Sequence, residues 1–547
     1  MSLERQEICR PLENDHFQLE RDNKNIMSET EVLTTKTHLP STFGLWSGIS
    51  VGWLTVNAFG GLSFILFVSL SAGGLPALLY GYIASSACVL CIMLVFSQCA
   101  ARFSTAGGAY HYAAFLLPDQ YKRSVSYPLG WLNYFGWILT HAACCSIVAT
   151  ALLALVNLCN PSFAVDTRWQ LFLAYVAVAC ICWLVNLFGL KGIPTLEILG
   201  CWVTALGFVG FSVALLVKAP KASAASVFVE VNNETGYSSA AFAVVLGLMN
   251  SFATLMGLDS PTHLAEELPQ PKRTLPQILI VVILSQFVVG VVWILVLGFS
   301  ITDLDAILAT STGVPIVELI RLGTDSQAAA IVFTLILMIN NGTSALGSAI
   351  TMSRQGFAFA RDEGLFWNYK LTAISPQTGL PVWSITFPSI VTLLIGLVFL
   401  FSNQAFNAII GAQAICQIIS FGFPAFLLLV TKSSKLPSAK SWNYGIWSTP
   451  IYATVCLYAV LVTVVAFIPQ SSPVTASNMN YAILIMGIFA VAMAGTWHLV
   501  GRHRFSPPLL TETFEESDVI QGVADEVASN EGSLKKTAAS SVEPVVV

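Results

Sequence analysis

Two stretches of this sequence place helix-breaking residues beside residues able to do chemistry. The first runs from Trp53 to Ser63 and holds Asn57, then Gly60 and Gly61, inside an apolar run. The second runs from Asn250 to His263 and brackets the acid Asp259 between Gly257 and Pro261. Each glycine weakens a helix by roughly 1 kcal/mol relative to alanine, and proline removes a backbone donor. A break inside an apolar helix frees N–H groups at the start of one half, which attract anions. It also frees carbonyls at the end of the other half, which attract an ammonium group or an ion. The chemistry implied is recognition of a small charged solute. A carboxylate in an apolar run is costly and marks a functional position by default. Three roles stay open for Asp259: pairing with a substrate amine, carrying a coupling proton, or capping the second half-helix, since Asp-Ser-Pro is a good helix-start signal. One break alone reads as well as a glycine-mediated helix contact. Two breaks about 200 residues apart favour two repeated halves of inverted topology.

Other polar residues in apolar runs carry weaker signals. Thr343 and Ser344 form a hydroxyl pair that would complete a sodium site with carbonyls of the first run, although small polar residues also serve helix packing. Glu197 follows Pro194 near the start of the fifth run, where an interfacial position explains it without function, and it is kept as a coupling candidate. His141 reads as a satisfied core histidine more readily than as a proton shuttle. Trp131, Tyr134, Phe135 and Trp137 offer cation–π faces, but the interfacial aromatic belt explains most of them. The 12 cysteines show no metal-binding spacing and mostly sit in apolar runs as small hydrophobes. No HExxH or Walker-type loop occurs, so no catalytic residue, metal or cofactor is expected.

The elements that position these residues follow from composition. Of 547 residues, 55% are hydrophobic and 10% charged, far below the ~25% charged typical of soluble domains, and mean hydropathy is +0.73. Twelve apolar runs are long enough to cross a bilayer: 43–72, 74–99, 125–157, 169–190, 195–217, 240–262, 277–300, 328–352, 382–401, 405–430, 448–469 and 480–500. Within lipid only helices satisfy their own backbone groups, so the fold class is an all-α membrane protein with about twelve transmembrane helices. All 25 Lys and Arg lie outside these runs or at their edges; loops after even-numbered runs hold twelve and loops after odd-numbered runs hold four. That asymmetry puts both termini and the even-numbered loops in the cytoplasm. The sequon at Asn233 then lies outside as a glycosylation candidate, whereas the sequon at Asn341 falls within a span. The domain map is a polar disordered tail over 1–42, a transmembrane domain over 43–501, and an acidic disordered tail over 502–547. No cleavable signal peptide is read, and no basic stripe supports nucleic-acid binding.

Four segments resemble the amino acid–polyamine–organocation superfamily and, within it, the fungal amino acid/choline transporter family. They are Asn57–Ser63 with Ser71–Pro76, Thr105–Tyr112, Asp259–Pro276 and Ser353–Gly364. The third is the most specific, and the likeness extends over roughly residues 40–505. The resemblance implies a LeuT-like fold of five plus five inverted helices with two added, and substrate binding at Asn57, Ala58, Phe59, Gly60 and Gly61 with Met256, Gly257, Leu258 and Asp259. The lysine that many relatives carry in helix five is absent, and Ile198 follows Glu197, which leaves the coupling ion open. The function expected is secondary transport of an amino acid, choline, a polyamine or a related amine, coupled to a proton rather than sodium, across the plasma or vacuolar membrane. An amino acid would use the N–H groups of Gly60 and Gly61 for its carboxylate; choline would lean on Phe59 and other aromatics. The alternatives are a nutrient receptor built on a transporter fold, and a carrier of an amine-derived secondary metabolite or its precursor.

Overall fold

Apolar runs of bilayer length become helices because each residue's N–H and C=O then pair within the segment. The computed structural model describes residues 42–508, apart from 166, 190, 401–404, 438–440 and 477. Most of the two tails read from the sequence, 1–41 and 509–547, lies outside the described residues. The helices are α1a (Leu45–Val56) and α1b (Ala58–Leu70), α2 (Gly74–Ala100), α3 (Asp119–Cys159), α4 (Arg168–Phe188), α5 (Ile193–Lys218), α6a (Ala240–Ala253) and α6b (Ser260–His263), α7 (Pro271–Ser300), α8 (Gln327–Arg361), α9 (Val382–Gly396, extended by a 3-10 turn to Leu400), α10 (Ala405–Val430), α11 (Ser448–Phe467) and α12 (Ala482–Thr496, ending in a π turn). Eleven helical segments, the broken α1 counted across its break as Leu45–Leu70, are long and apolar enough to span a membrane. The twelfth span is the interrupted α6, whose first half is only 14 residues long. Among the described residues no strand forms; one isolated bridge joins Ala72 to Asn233. The protein is therefore an integral membrane protein of twelve helical spans.

An odd number of spans per half turns the second half upside down relative to the first, so five plus five gives an inverted pair. The packing repeats accordingly: α2 lies along α7 and α3 along α8, equivalent positions of the two halves. The broken helices α1 and α6 are likewise equivalent. Helix α5 shows how one sequence serves both lipid and core. Leu199, Trp202, Leu206, Val209 and Val213, spaced three and four apart, are all exposed and form a lipid-facing stripe. On its opposite side Gly200 and Gly207 lie where a Cβ would press on Thr343 and Ile336 of α8, a small-residue contact of the kind that holds membrane helices together.

Two boundaries differ from the sequence reading, and both matter for the site. Helix α3 begins at Asp119, so Tyr134 and Trp137 lie mid-helix and are buried at 1% and 0% exposure; they are core residues and not an interfacial belt. Helix α8 runs on to Arg361, which carries Arg354 into the protein interior at 2% exposure. Below, the near face is the side where α1a begins and α12 ends, and the far face is the opposite side.

Candidate functional site

The break in α1 falls at Asn57 and not at the glycine pair. Asn57 adopts the left-handed conformation (φ 54°), which asparagine tolerates better than other side-chain-bearing residues. Its Oδ1 accepts the Gly60 N–H at 3.0 Å, capping α1b, and its Nδ2 donates to Asn341 Oδ1 of α8 at 2.9 Å. Gly60 and Gly61 lie inside α1b, where they admit neighbours. A Cβ on Gly60 would collide with the side-chain amides of Asn340, Asn57 and Asn341, while one on Gly61 would only touch Thr254, at 3.4 Å. Three of the first four amides of α1b, those of Ala58, Gly60 and Gly61, are bonded within the chain. The Ala58 N–H donates to Gln286 Oε1 at 3.0 Å and the Gly61 N–H to the Asn57 carbonyl at 2.8 Å. Of the last carbonyls of α1a, that of Trp53 accepts the Asn57 N–H at 3.2 Å and Gln286 Nε2, whereas the amides that would meet those of Leu54 and Val56 bond Gln286 and Asn57 Oδ1 instead.

The break in α6 spans Thr254 to Asp259. Gly257 sits at φ +80° with the Thr55 carbonyl 3.1 Å from where a Cβ would be, so backbone conformation and space both require glycine. Its N–H donates to Gln417 Oε1 of α10 at 3.2 Å, and Gln417 Nε2 donates to Thr140 of α3 at 2.9 Å. Asp259 stands at the N-cap of α6b without making a side-chain cap. Its Oδ2 instead accepts from Asn133 Nδ2 at 2.8 Å and faces His263 Nε2 at 3.0 Å, while Oδ1 has no partner.

Between the breaks lies a cavity of about 620 Å³. Asn57, Gly61 and Met256 line it, with Thr140 and Cys144 from α3 and Ser344 from α8. It extends to Gln470–Asn480, the loop joining α11 to α12 on the far face. No Asp, Glu, Lys, Arg or His lines it among the described residues. The other expected site residues surround it at one remove. Phe59 is 1% exposed and packs among Phe208, Trp293 and Phe333, outside the cavity lining. Ala58, Gly60, Gly257, Leu258 and Asp259 are also buried behind its wall. The aromatic rings among the lining residues are Phe64 and Phe399, neither singled out from the sequence.

The hydroxyl pair of α8 does not converge. Ser344 faces the cavity beside Cys144, whereas Thr343 lies against Gly200 of α5 and donates back to the Ile339 and Asn340 carbonyls. Glu197 is fully buried in the same region, near Thr55 and the Cα of Gly347, and neither carboxyl oxygen has a hydrogen-bond partner. His141 is a satisfied core residue, its Nδ1 on the Ala345 carbonyl at 2.9 Å. Outside the spans, the Asn233 amide donates to the Tyr237 carbonyl at 2.8 Å in the loop between α5 and α6a, which belongs to the far face.

The near side is closed by charge. Glu267 accepts from Arg354 at 2.7 Å and from Thr42 at 2.6 Å, and Glu266 meets Arg361 in two bonds of 2.7 and 3.1 Å. Asp362 accepts from Tyr110 at 2.9 Å and faces His111 at 2.6 Å. Burial and the adjacent Asp362 carboxylate hold the Tyr110 phenol well above its ordinary pKa. These groups join the exit of α6b to the end of α8 and to the short helix Ala109–Leu116. The sequence reading missed the partners of the breaks, namely Gln286, Gln417, Asn133 and His263. The signal was available, since each is a polar side chain in or beside an apolar run.

Twelve spans, ten of them in two inverted halves of five, with broken first and sixth helices meeting at a solute-sized cavity open to one face, define a secondary transporter. The family model described as amino acid permease matches residues 46–489. The chain belongs to that family, within the amino acid–polyamine–organocation superfamily. It is 28% identical over 475 residues to a choline transporter of Saccharomyces cerevisiae, covering 86% of this chain and 83% of that one. It is 26% identical to a polyamine transporter of the same yeast (82% and 74% covered) and 26% identical to its 7-keto 8-aminopelargonic acid transporter (68% and 70% covered).

Proposed function

We propose that the chain imports a small amine bearing a single positive charge, with choline the first to test, and that a proton drives the import. The observation that carries this reading is the chemistry of the cavity. Its wall is uncharged, the Gly60 and Gly61 amides that would receive a carboxylate are already bonded, and at the end of α1a the Leu54 and Val56 carbonyls have lost their helical amides to Gln286 and Asn57. A helix C-terminus favours a cation. A zwitterionic amino acid must displace an internal hydrogen bond to seat its carboxylate. A polyamine brings several charges to a wall that answers none of them, which is costly. A quaternary ammonium needs no hydrogen bonds, and Phe64 and Phe399 offer ring faces. The similarity to a choline transporter over 86% of the chain agrees with this choice.

Proton rather than sodium coupling is supported by the divergence of Thr343 and Ser344 and by two buried carboxyls, Glu197 and Asp259, beside the breaks. An ionised carboxylate without a partner is expensive to bury, so Glu197 holds a proton or a cation in this conformation. The excess of Lys and Arg in even-numbered loops supports a cytoplasmic near face, and with it an outward-open cavity and glycosylation at Asn233. The test is radiolabelled uptake in a transporter-deficient yeast over choline, 4-aminobutyrate, basic and cyclic amino acids and polyamines, with and without a protonophore. Saturable choline uptake abolished by the protonophore is expected. Uptake of an amino acid and not of choline would overturn the substrate class. Flux of no solute despite surface expression would favour a receptor or an exporter.

A further inference from the structure

The hydrogen bonds around α6b constrain a proton. His263 Nδ1 lies 2.7 Å from the Ala106 carbonyl, which only accepts, so Nδ1 carries a hydrogen. His263 Nε2 lies 3.0 Å from Asp259 Oδ2. A proton must sit between them, on Nε2 of an imidazolium beside a carboxylate or on Oδ2 of a neutral acid beside a neutral imidazole. Both forms are neutral overall. Removing the proton leaves an imidazole lone pair facing a carboxylate and an uncompensated negative charge in a site where both side chains are 0% exposed.

We propose that Asp259 and His263 share one proton and that this pair is where the transporter takes up and releases its coupling proton. The proposal rests on the proton-coupled reading and names its site. The pair is placed for exchange. Asp259 closes the α6 break, and α6b is four residues long, held by the Ala106 carbonyl and by Ser260 on Thr351 at 2.8 Å. On the cavity side, Thr140 with Gln417 and Asn133 with Ser420 form two polar steps along α3 and α10 toward Asp259. On the near side, His263 abuts the loop at Gly108. The proton enters the pair from the far face with substrate bound and leaves when α6b opens to the near face. Without it, the pair is a buried anion that cannot reform the contacts seen here.

The groups facing the pair leave it in control of that proton. From the short helix after α2 comes the buried Tyr112 phenol. Helix α3 contributes Asn133 and the Trp137 ring, α8 contributes Thr351, α10 contributes Ser420, and α1a contributes Gly52 against Pro261. The nearest full charges beyond these, Glu267 and Arg354, pair with each other, and His111 pairs with Asp362.

The test reconstitutes the full chain in liposomes with a lumenal pH dye. It uses whichever of choline and 4-aminobutyrate the wild type accumulates, and follows substrate-driven acidification, gradient-driven accumulation and substrate exchange at equal pH. Asp259→Asn keeps the bond that the neutral acid donates to His263 and gives up the one its Oδ2 accepts from Asn133, and His263→Gln removes the base. Both variants are expected to lose acidification and accumulation, with exchange lowered but still measurable. Wild type that accumulates a solute without acidification overturns proton coupling and the pair with it. Wild-type acidification retained in both variants overturns the pair alone. So does acidification lost in Glu197→Gln but kept in the other two, which moves the proton to Glu197. Loss of exchange together with acidification in both variants reduces the pair to a structural contact and overturns the proposal.

Discussion

The two glycines of α1b look alike in sequence and differ in what surrounds them. A methyl group at Gly60 meets three side-chain amides, whereas one at Gly61 meets only the edge of Thr254. Gly60→Ala is therefore expected to cost about 1–3 kcal/mol through overpacking of a hydrogen-bonded cluster. Gly61→Ala leaves the fold intact and acts on the cavity wall, raising the KM for choline several-fold. Thermal unfolding in detergent alongside uptake kinetics separates the two; equal Tm values would remove the distinction. Gly257 is under a stricter constraint, since its φ is positive and the Thr55 carbonyl lies close by. Asn57 shows the same economy of side chain, one residue supplying the turn, the cap and the link to α8.

At the scale of elements, the near-face charges fasten α6b to α8 with two ion pairs of different depth. The Arg354 and Glu267 side chains are each 1% exposed, while that of Arg361 is 30% exposed. Removing one partner of a buried pair strands the other, so Arg354→Gln is expected to cost roughly 3–5 kcal/mol and to lower the amount of folded protein. Arg361→Gln should cost about 1 kcal/mol or less and loosen the closed side, seen as faster substrate exchange with normal expression. Fluorescence-detected size exclusion of both variants measures this; equal losses would show that depth does not separate the pairs. The elements are short where they must move and long where they must hold. Helix α6b has four residues, whereas α3 and α8, packed along each other, have 41 and 35.

At the scale of the whole molecule, the cavity reaches the far face and is closed at the near face, so its wall is accessible from one side. Cys144 lines it, with its thiol 3.5 Å from Ser344. A membrane-impermeant thiol reagent added outside intact cells should inhibit uptake, choline should protect, and Cys144→Ser should abolish the inhibition. Inhibition unchanged in Cys144→Ser would move the reactive thiol elsewhere. The same orientation makes Asn233→Gln remove an endoglycosidase-sensitive mobility shift, and the absence of any shift in wild type would remove the glycosylation reading.

The sequence by itself determined the span number, the helical class and the two broken helices. Each follows from local properties: apolar run length, backbone self-satisfaction in lipid, and helix breakers beside polar residues. It also flagged Asn57, Gly257 and Asp259 as unusual, because a polar or flexible residue in an apolar run is visible without a fold. Only the tertiary structure decided what each of them touches. Gln286 comes from α7, Gln417 from α10 and Asn341 from α8, more than 150 residues from the breaks they serve. No periodicity links residues so far apart. The direction a side chain faces was hidden for the same reason. Thr343 and Ser344 are neighbours in the chain, yet successive residues on a helix point about 100° apart, and the packing of α5 and α3 sets which one meets the cavity. Tertiary packing likewise turned Phe59 away from the cavity, whereas the His263–Asp259 contact is local, four residues apart on one helical turn, and what the fold added to it is burial at 0% exposure.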